Sequence, residues 1–404
     1  MDLKTLYGDN ADLTALTARI NALEKRFETL EGAKPEHLFS SSGRAEILGN
    51  HTDHNHGLVM VAAISCDILA AVSVRADGIV KIIADDYPPV EVDITDLDVK
   101  PEEFGTSNAL TRGVAKGIID RGYKIKGFTA YTTSNIFKGA GVSSSAAFEV
   151  LVAEIFNSLY LNGKLTAVDR AVISQYAENV YFNKPCGILD QSGISIGSLV
   201  KLDFNEPTKP VIEKLDPPAG YTLVITNTGG DHADLTDHYA AIRKEMEAVA
   251  NYFGKKVLRD VEYSEFIEHV PALNRHFSGR AIMRAMHFYA ENDRVIAARD
   301  ALKSNNVKDF LKNVNESGLS SLILLQNCSV PGDVRQPVVL GIEYSRRIIK
   351  DGAVRVHGGG FAGSILAFVK DEEVSDYVRD MSKLFGAENV FEANVRRVGT
   401  VKIY

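Results

Sequence analysis

Apolar residues recur at helical spacing over residues 13–30, where Leu13, Leu16, Ile20, Leu23, Phe27 and Leu30 share one face. The pattern predicts an amphipathic helix packed on a first domain. An apolar run then extends from Leu58 to Val74, but Ser65 and Asp67 interrupt it, so it is too broken to span a bilayer. Strand signals follow at Val72–Arg75 and, after a turn at Ala76-Asp77-Gly78, at Ile79–Ile83. Val90, Val92 and Ile94 alternate with Glu91 and Asp93, as in a half-buried strand. Thr106 or Ser107 caps a predicted helix carrying Leu110, Val114 and Ile118, which Gly122 ends. A strand over Phe128–Thr133 leads through a glycine- and serine-rich turn into a helix reaching about Tyr160, and a second helix covers Ala167–Val180.

Pro207, Pro210, Pro217 and Pro218 cluster in a charged stretch, which sets the expected division into domains at 1–205 and 206–404. Beyond it the pattern predicts a strand at Tyr221–Asn227, a helix at Thr236–Phe253 and further helices to about Gln326. Strands at Val354–Val356 and Ser364–Val369, a helix and two short strands complete the chain. Helices and strands mix without a regular βαβ repeat, so the expected class is α+β.

Composition narrows the function. With 45 Lys and Arg against 53 Asp and Glu, the 404-residue chain carries a net charge of −8. That balance speaks against nucleic acid or an anionic membrane surface as partner. Cys66, Cys186 and Cys328 lie far apart and read as reduced thiols, and Met1-Asp2-Leu3-Lys4 opens no secretory segment. The expectation is a cytoplasmic protein.

Four segments carry candidate chemistry. Gly139-Ala140-Gly141-Val142-Ser143-Ser144-Ser145 lies between a strand and a helix, where backbone N–H groups and a helix N-terminus suit an anion. It is neither a P-loop, which needs Lys after its last glycine, nor a dinucleotide fingerprint, which needs glycine at Ser144. The segment Gly43–Gly57 holds Arg44, Asn50, His51, Thr52, Asp53, His54 and His56 beside a buried run, which suits a polyhydroxyl ligand. A metal site from His51, Asp53, His54 and His56 is the alternative there, although no HExxH-type spacing supports it. In Cys186-Gly187-Ile188-Leu189-Asp190-Gln191 an acid emerges from an apolar run, either to cap a helix or to move a proton. Gly358, Gly359, Gly360 and Gly363 allow a close backbone approach between two strands.

In this order and at these separations the four segments resemble the galactokinase branch of the galacto-, homoserine, mevalonate and phosphomevalonate kinase superfamily. The resemblance spans residues 43–364 and implies a two-domain fold with the active site between the domains. It further implies a left-handed βαβ crossover in the first domain and a ferredoxin-like second domain. The implied activity is phosphorylation of galactose by ATP at the anomeric hydroxyl, with the small-molecule sugar and ATP as partners. Carried over, Asp190 and Arg44 are the catalytic pair, Ser145 and Glu178 the Mg2+ ligands, and Gly139–Ser145 the phosphate cradle. Asn50, His51, Thr52, Asp53, Gly187 and Tyr239 fall on the sugar, with Arg243 on the same helix as Tyr239. The chain departs from the family pattern at Asn50 (usually glutamate), at His54 (usually tyrosine) and at Ile136-Phe137-Lys138, where a proline is usual; it has no tryptophan. Kinases for N-acetylgalactosamine or a uronic acid, and a non-catalytic galactose and ATP sensor, are the rival readings. Retention of Arg44, Ser145, Glu178 and Asp190 favours catalysis.

Overall fold

The computed structural model describes residues 1–8, 11–85, 87–136, 141–229, 235–361 and 363–404. Its strands are β1 (His37–Leu48), β2 (Leu58–Val74), β3 (Ile79–Ala84), β4 (Val90–Asp93), β5 (Phe128–Ser134), β6 (Leu199–Asp203), β7 (Val211–Leu215), β8 (Tyr221–Asn227), β9 (Gly352–His357), β10 (Ser364–Lys370), β11 (Val390–Ala393) and β12 (Val401–Lys402). The first sheet runs β12-β1-β2-β5-β3-β4, with β6 and β7 added beside β2. Only the β3–β5 pairing in it is parallel, and the helix Ser107–Ile119 makes that crossover. The second sheet, β11-β8-β10-β9, places its first strand beside its last and its third, the order of a ferredoxin-like unit. Galactokinase-type fold expectations of two sheet-centred units therefore hold.

The first core lies between the large sheet and the helices Ser107–Ile119 and Ser144–Tyr160, where Phe39, Phe128 and Phe156 are fully buried. The rings of Phe128 and Phe156 meet edge to face at 5.2 Å between centroids. The amphipathic helix Leu13–Glu31 starts on Asp12, whose carboxylate accepts from Thr14 N and Ala15 N, and buries Ile20, Leu23 and Phe27.

Two local results differ from the hydrophobic pattern. Residues 43–48 form the end of β1, a strand that the hydrophobic pattern does not signal. Ala45 and Ile47 point into the core while Arg44 and Glu46 face a cavity, so polar side chains hide the alternation. The break at Ser65 and Asp67 lies inside one 17-residue strand, at a bulge where Ser42 pairs with Asp67 but Gly43 pairs with Ile64. Asp67 is fully buried there and accepts from Arg19 and Tyr7, so a polar residue that looks like an interruption is a structural anchor.

The proline-bearing stretch holds edge strand β7, which pairs with β6, so the first sheet continues past residue 206. It is finished from the far end of the chain: β12 pairs with β1, and Val395 bridges to Ile64. Among the described residues no helix is long and apolar enough to cross a membrane.

Candidate active site

The cavity faced by Arg44 and Glu46 has a volume of about 490 Å³ and lies between the two sheet-centred units, within the range of small-molecule sites. Four segments of the first unit and two of the second meet in its wall.

The end of β1 supplies Arg44. Its guanidinium grips Asp190 in a fork, Nε to Oδ1 at 2.7 Å and Nη2 to Oδ2 at 2.8 Å, while Nη1 donates to the carbonyl of Gly141. Asp190 sits in the first turn of the helix Leu189–Ile196. The hydroxyl of Ser143 also donates to its Oδ2. Burial works to raise this carboxyl, but the charge and hydrogen bonds of Arg44 and the bond from Ser143 outweigh it and hold Asp190 below the usual aspartate range. Asp190 is therefore an ionised acceptor at neutral pH.

The serine turn supplies the second segment. Ser143 takes φ +62°, a left-handed conformation uncommon for a residue with a side chain, and the helix Ser144–Tyr160 begins directly after it. Gly141, Val142, Ser143, Ser144 and Ser145 all line the cavity, with the helix N-terminus among them. Gly139 and Ala140, expected in the same cradle, lie outside the described residues.

The third segment follows β1. His51 donates from Nε2 to the carbonyl of Gly359 at 2.9 Å, and burial pushes its pKa down to about 4, so the ring is neutral. Asp53 accepts from Leu189 N at 3.2 Å and from His54 N at 3.0 Å. Gly187 packs so closely on it that a Cβ there would lie 1.7 Å from Asp53 Oδ2. The second unit holds this segment from behind. Glu291 accepts from Gly49 N, Arg355 donates to the carbonyl of Ile47, and His287 donates to that of Asn50, each at 2.9 Å. It also lends Tyr239, whose hydroxyl donates to the carbonyl of Gly360 at 3.0 Å beside the cavity, with Arg243 further along the same helix.

Two expected sugar-binding residues do not reach the cavity. Thr52 is fully buried and donates to the carbonyls of Gly49 and Leu58, closing the turn. Asn50 is fully buried too. Its amide donates to Glu46 Oε1 at 2.6 Å and to the carbonyl of Gly358 at 2.9 Å, and its Oδ1 accepts from Asn327 at 2.7 Å. Glu46 and Lys184 do line the cavity but were not singled out from sequence. The signal for Glu46 was its alternation with Ala45 and Ile47.

Glu178 is buried one layer back. It accepts from Ser145 Oγ at 3.2 Å, from Lys184 Nζ at 2.9 Å and from Gln191 Nε2 at 2.8 Å. Gln191 also donates to Glu149, whose Oε2 is buried without a partner. A serine hydroxyl and a carboxylate side by side at the serine turn are hard oxygen donors of the kind Mg2+ takes, in the small number it asks of a protein. Those residues fit the ion. The histidines do not form a rival metal site: His51 Nε2 is taken by Gly359 O and His54 Nδ1 by the amide of Asn55, and no cluster of three His, Cys, Asp or Glu is placed for a metal among the described residues.

This geometry can be set beside known proteins. Residues 25–74 match the galactokinase galactose-binding signature, and residues 109–198 match the N-terminal domain of the GHMP kinases. The chain is 32% identical to the galactokinase of Actinobacillus pleuropneumoniae serotype 3 over 361 residues, which cover 87% of this chain and 89% of that one. The chain belongs to the galactokinase family. A galactokinase of Clostridium perfringens is 29% identical over 397 residues, 93% of this chain and 96% of its own. The Lactococcus lactis galactokinase complexed with galactose superposes with a TM-score of 0.84 at 24% identity, over 95% of this chain and all of that one. The Methanococcus jannaschii mevalonate kinase follows at 0.62 and 15%, over 89% of this chain and 98% of its own. The galactose-binding signature spans β1, the turn after it and β2, and includes Arg44, Glu46, His51 and Asp53.

Proposed function

We propose that the chain transfers the γ-phosphoryl group of ATP to the anomeric hydroxyl of galactose, giving galactose 1-phosphate and ADP. The observation that carries this reading is Asp190, half-buried and ionised between Arg44 and Ser143 where the acceptor side and the serine turn meet. His51, Asp53, Gly187 and Tyr239 line the acceptor side, and Ser144 offers a hydroxyl, with the helix N-terminus it begins, to phosphate oxygens.

In the proposed reaction the anomeric oxygen bonds to the γ-phosphorus, the bond from that phosphorus to the bridging oxygen of ADP breaks, and Asp190 accepts the hydroxyl proton. Arg44 keeps Asp190 ionised until then and supplies positive charge beside the transferring group. Such transfer asks the protein chiefly for position and charge. Ser145 and Glu178 would hold Mg2+, which when bound offsets the charge of the nucleotide phosphates. Three free cysteines and the acidic balance support action in the cytoplasm.

The test is ADP release with ATP and Mg2+ in the presence of galactose, glucose, N-acetylgalactosamine or galacturonate. Galactose should give the highest kcat/KM. Binding of galactose and ATP without ADP release would make the chain a sensor, and a clear preference for another sugar would change the substrate.

A further inference from the structure

Glu46 is an acid that neither the proton transfer nor the phosphate cradle uses, yet it stands in the cavity wall two residues after Arg44 and only 5% exposed. Its two oxygens are treated differently. Oε1 accepts from Asn50 Nδ2 at 2.6 Å and lies 3.4 Å from Arg355 Nη2. No donor among the described residues reaches Oε2, and that atom is not sealed from the cavity. A carboxylate oxygen in a buried wall without a donor is costly, and the group has acceptor sites to spare.

Asn50 has nothing to spare. Both N–H groups of its amide are engaged, by Glu46 and by the carbonyl of Gly358, and its oxygen accepts from Asn327 and, at 3.3 Å, from Ser321. Its role is to fix the Glu46 carboxylate in one orientation. The partner that suits Oε2 is a neutral hydroxyl donor; a phosphate or carboxylate would be repelled. The neighbourhood of Arg44 and Asp190 places it on the acceptor side of the cavity.

The geometry points to Glu46 as the residue that selects the acceptor, its Oε2 receiving one hydroxyl of a neutral sugar while Asn50 and Arg355 hold Oε1. This rests on the sugar-kinase reading above. It also accounts for asparagine at position 50: the acidic acceptor enters the cavity from β1 instead.

The experiment compares wild type with Glu46→Gln in kcat/KM for galactose and its 2-, 3-, 4- and 6-deoxy analogues, with KM for ATP, the galactose Kd by calorimetry and the melting temperature recorded for both. A site built around a hydroxyl rejects the analogue lacking it by about 10⁴-fold. Wild type should reject one deoxy analogue far more strongly than the others. Burial raises the Glu46 carboxyl to about 7, so at pH 8 or above Glu46→Gln should weaken galactose binding about tenfold, cut that one rejection by at least about tenfold and leave KM for ATP within about twofold, as expected when a charge-assisted bond becomes a neutral one. Glu46→Asp, which keeps the charge but withdraws it by one methylene, should change the same ratio and serves if the amide variant does not fold. Unchanged ratios across the panel would overturn the assignment. So would a variant that binds every sugar and ATP equally worse with a lowered melting temperature, since that marks a strut and not a contact. A wild type inactive on galactose would instead overturn the activity reading, which separates the two failures.

Discussion

Replacing Gly187 with alanine would push a methyl group into the carboxylate of Asp53. The new Cβ would lie 1.7 Å from Oδ2, 2.4 Å from Cγ and 2.7 Å from Oδ1, whereas non-bonded atoms settle at about 3.5 Å. Something must therefore move by roughly 1.5 Å or more. If Asp53 swings away, it loses the bonds from Leu189 N and His54 N that aim it at the cavity. Hydrogen bonds to a charged group contribute about 1.5–3 kcal/mol each, and part of that returns through solvation of the displaced carboxylate. A net loss near 3 kcal/mol, or about 10²-fold in galactose affinity, is the expectation. If the loop recoils instead, it drags Asp190, three residues on, away from Arg44, and kcat falls. Calorimetry with galactose and with ATP, together with the split between kcat and KM, distinguishes the two. Overpacking should lower the melting temperature by only a few degrees. A folded Gly187→Ala protein with galactose KM and kcat both within threefold of wild type would refute the reasoning.

Other substitutions probe the remaining parts. Asp190→Asn should lower kcat by about 10²–10⁴-fold with ATP affinity nearly unchanged, measured by ADP release and calorimetry. Glu178→Ala should raise the Mg2+ concentration for half-maximal rate, and an unchanged Mg2+ titration would leave Glu178 a structural role only. Arg44→Met removes the largest influence that holds Asp190 ionised, leaving Ser143 and Lys184 alone against burial, so the carboxyl rises. The pH below which activity is lost should then move upward, which a pH profile of kcat reads independently of its height. Asn50→Glu sets a second carboxylate against Glu46 Oε1, 2.6 Å from the present amide nitrogen; two such acids cannot both ionise. It should destabilise the protein and weaken galactose binding, and adding Glu46→Asn should restore the stability but not the binding, a coupling that a double-mutant cycle measures.

Arg44, Asp190 and the serine turn were legible because each joins a charged or glycine-bracketed residue to a strand or helix boundary. Glu46 was not, because a strand whose cavity face is charged reads as a loop unless Ala45 and Ile47 are recognised as its core face. Asn50 was misplaced for a related reason: a sequence shows that a residue is polar but not whether protein or ligand satisfies it. Burial against Asn327 and Gly358, more than 270 residues away, decided that. The same limit hid the true extent of the first sheet. Val401 and Lys402 form too short a segment to signal their pairing with Phe39 and Ser40, and the prolines at 207–218 marked turns flanking β7 rather than the end of that sheet.

The return of β12 to β1 also bears on how the chain is made. The strand that presents Arg44 and Glu46 is bracketed on one edge by β2, available early in synthesis, and on the other by residues 401 and 402. Its second edge stays unpaired while more than 350 further residues are added. A long open edge is a template for misassociation, and contacts of such wide sequence separation close slowly. The first sheet is thus no independent folding unit that waits, finished, for the second; the strand that carries Arg44 and Glu46 reaches its final surroundings only when residues 401 and 402 are present. Removing residues 395–404 would take away no residue of the cavity wall, yet would leave the far edge of the strand beneath it unpaired at Phe39 and Ser40.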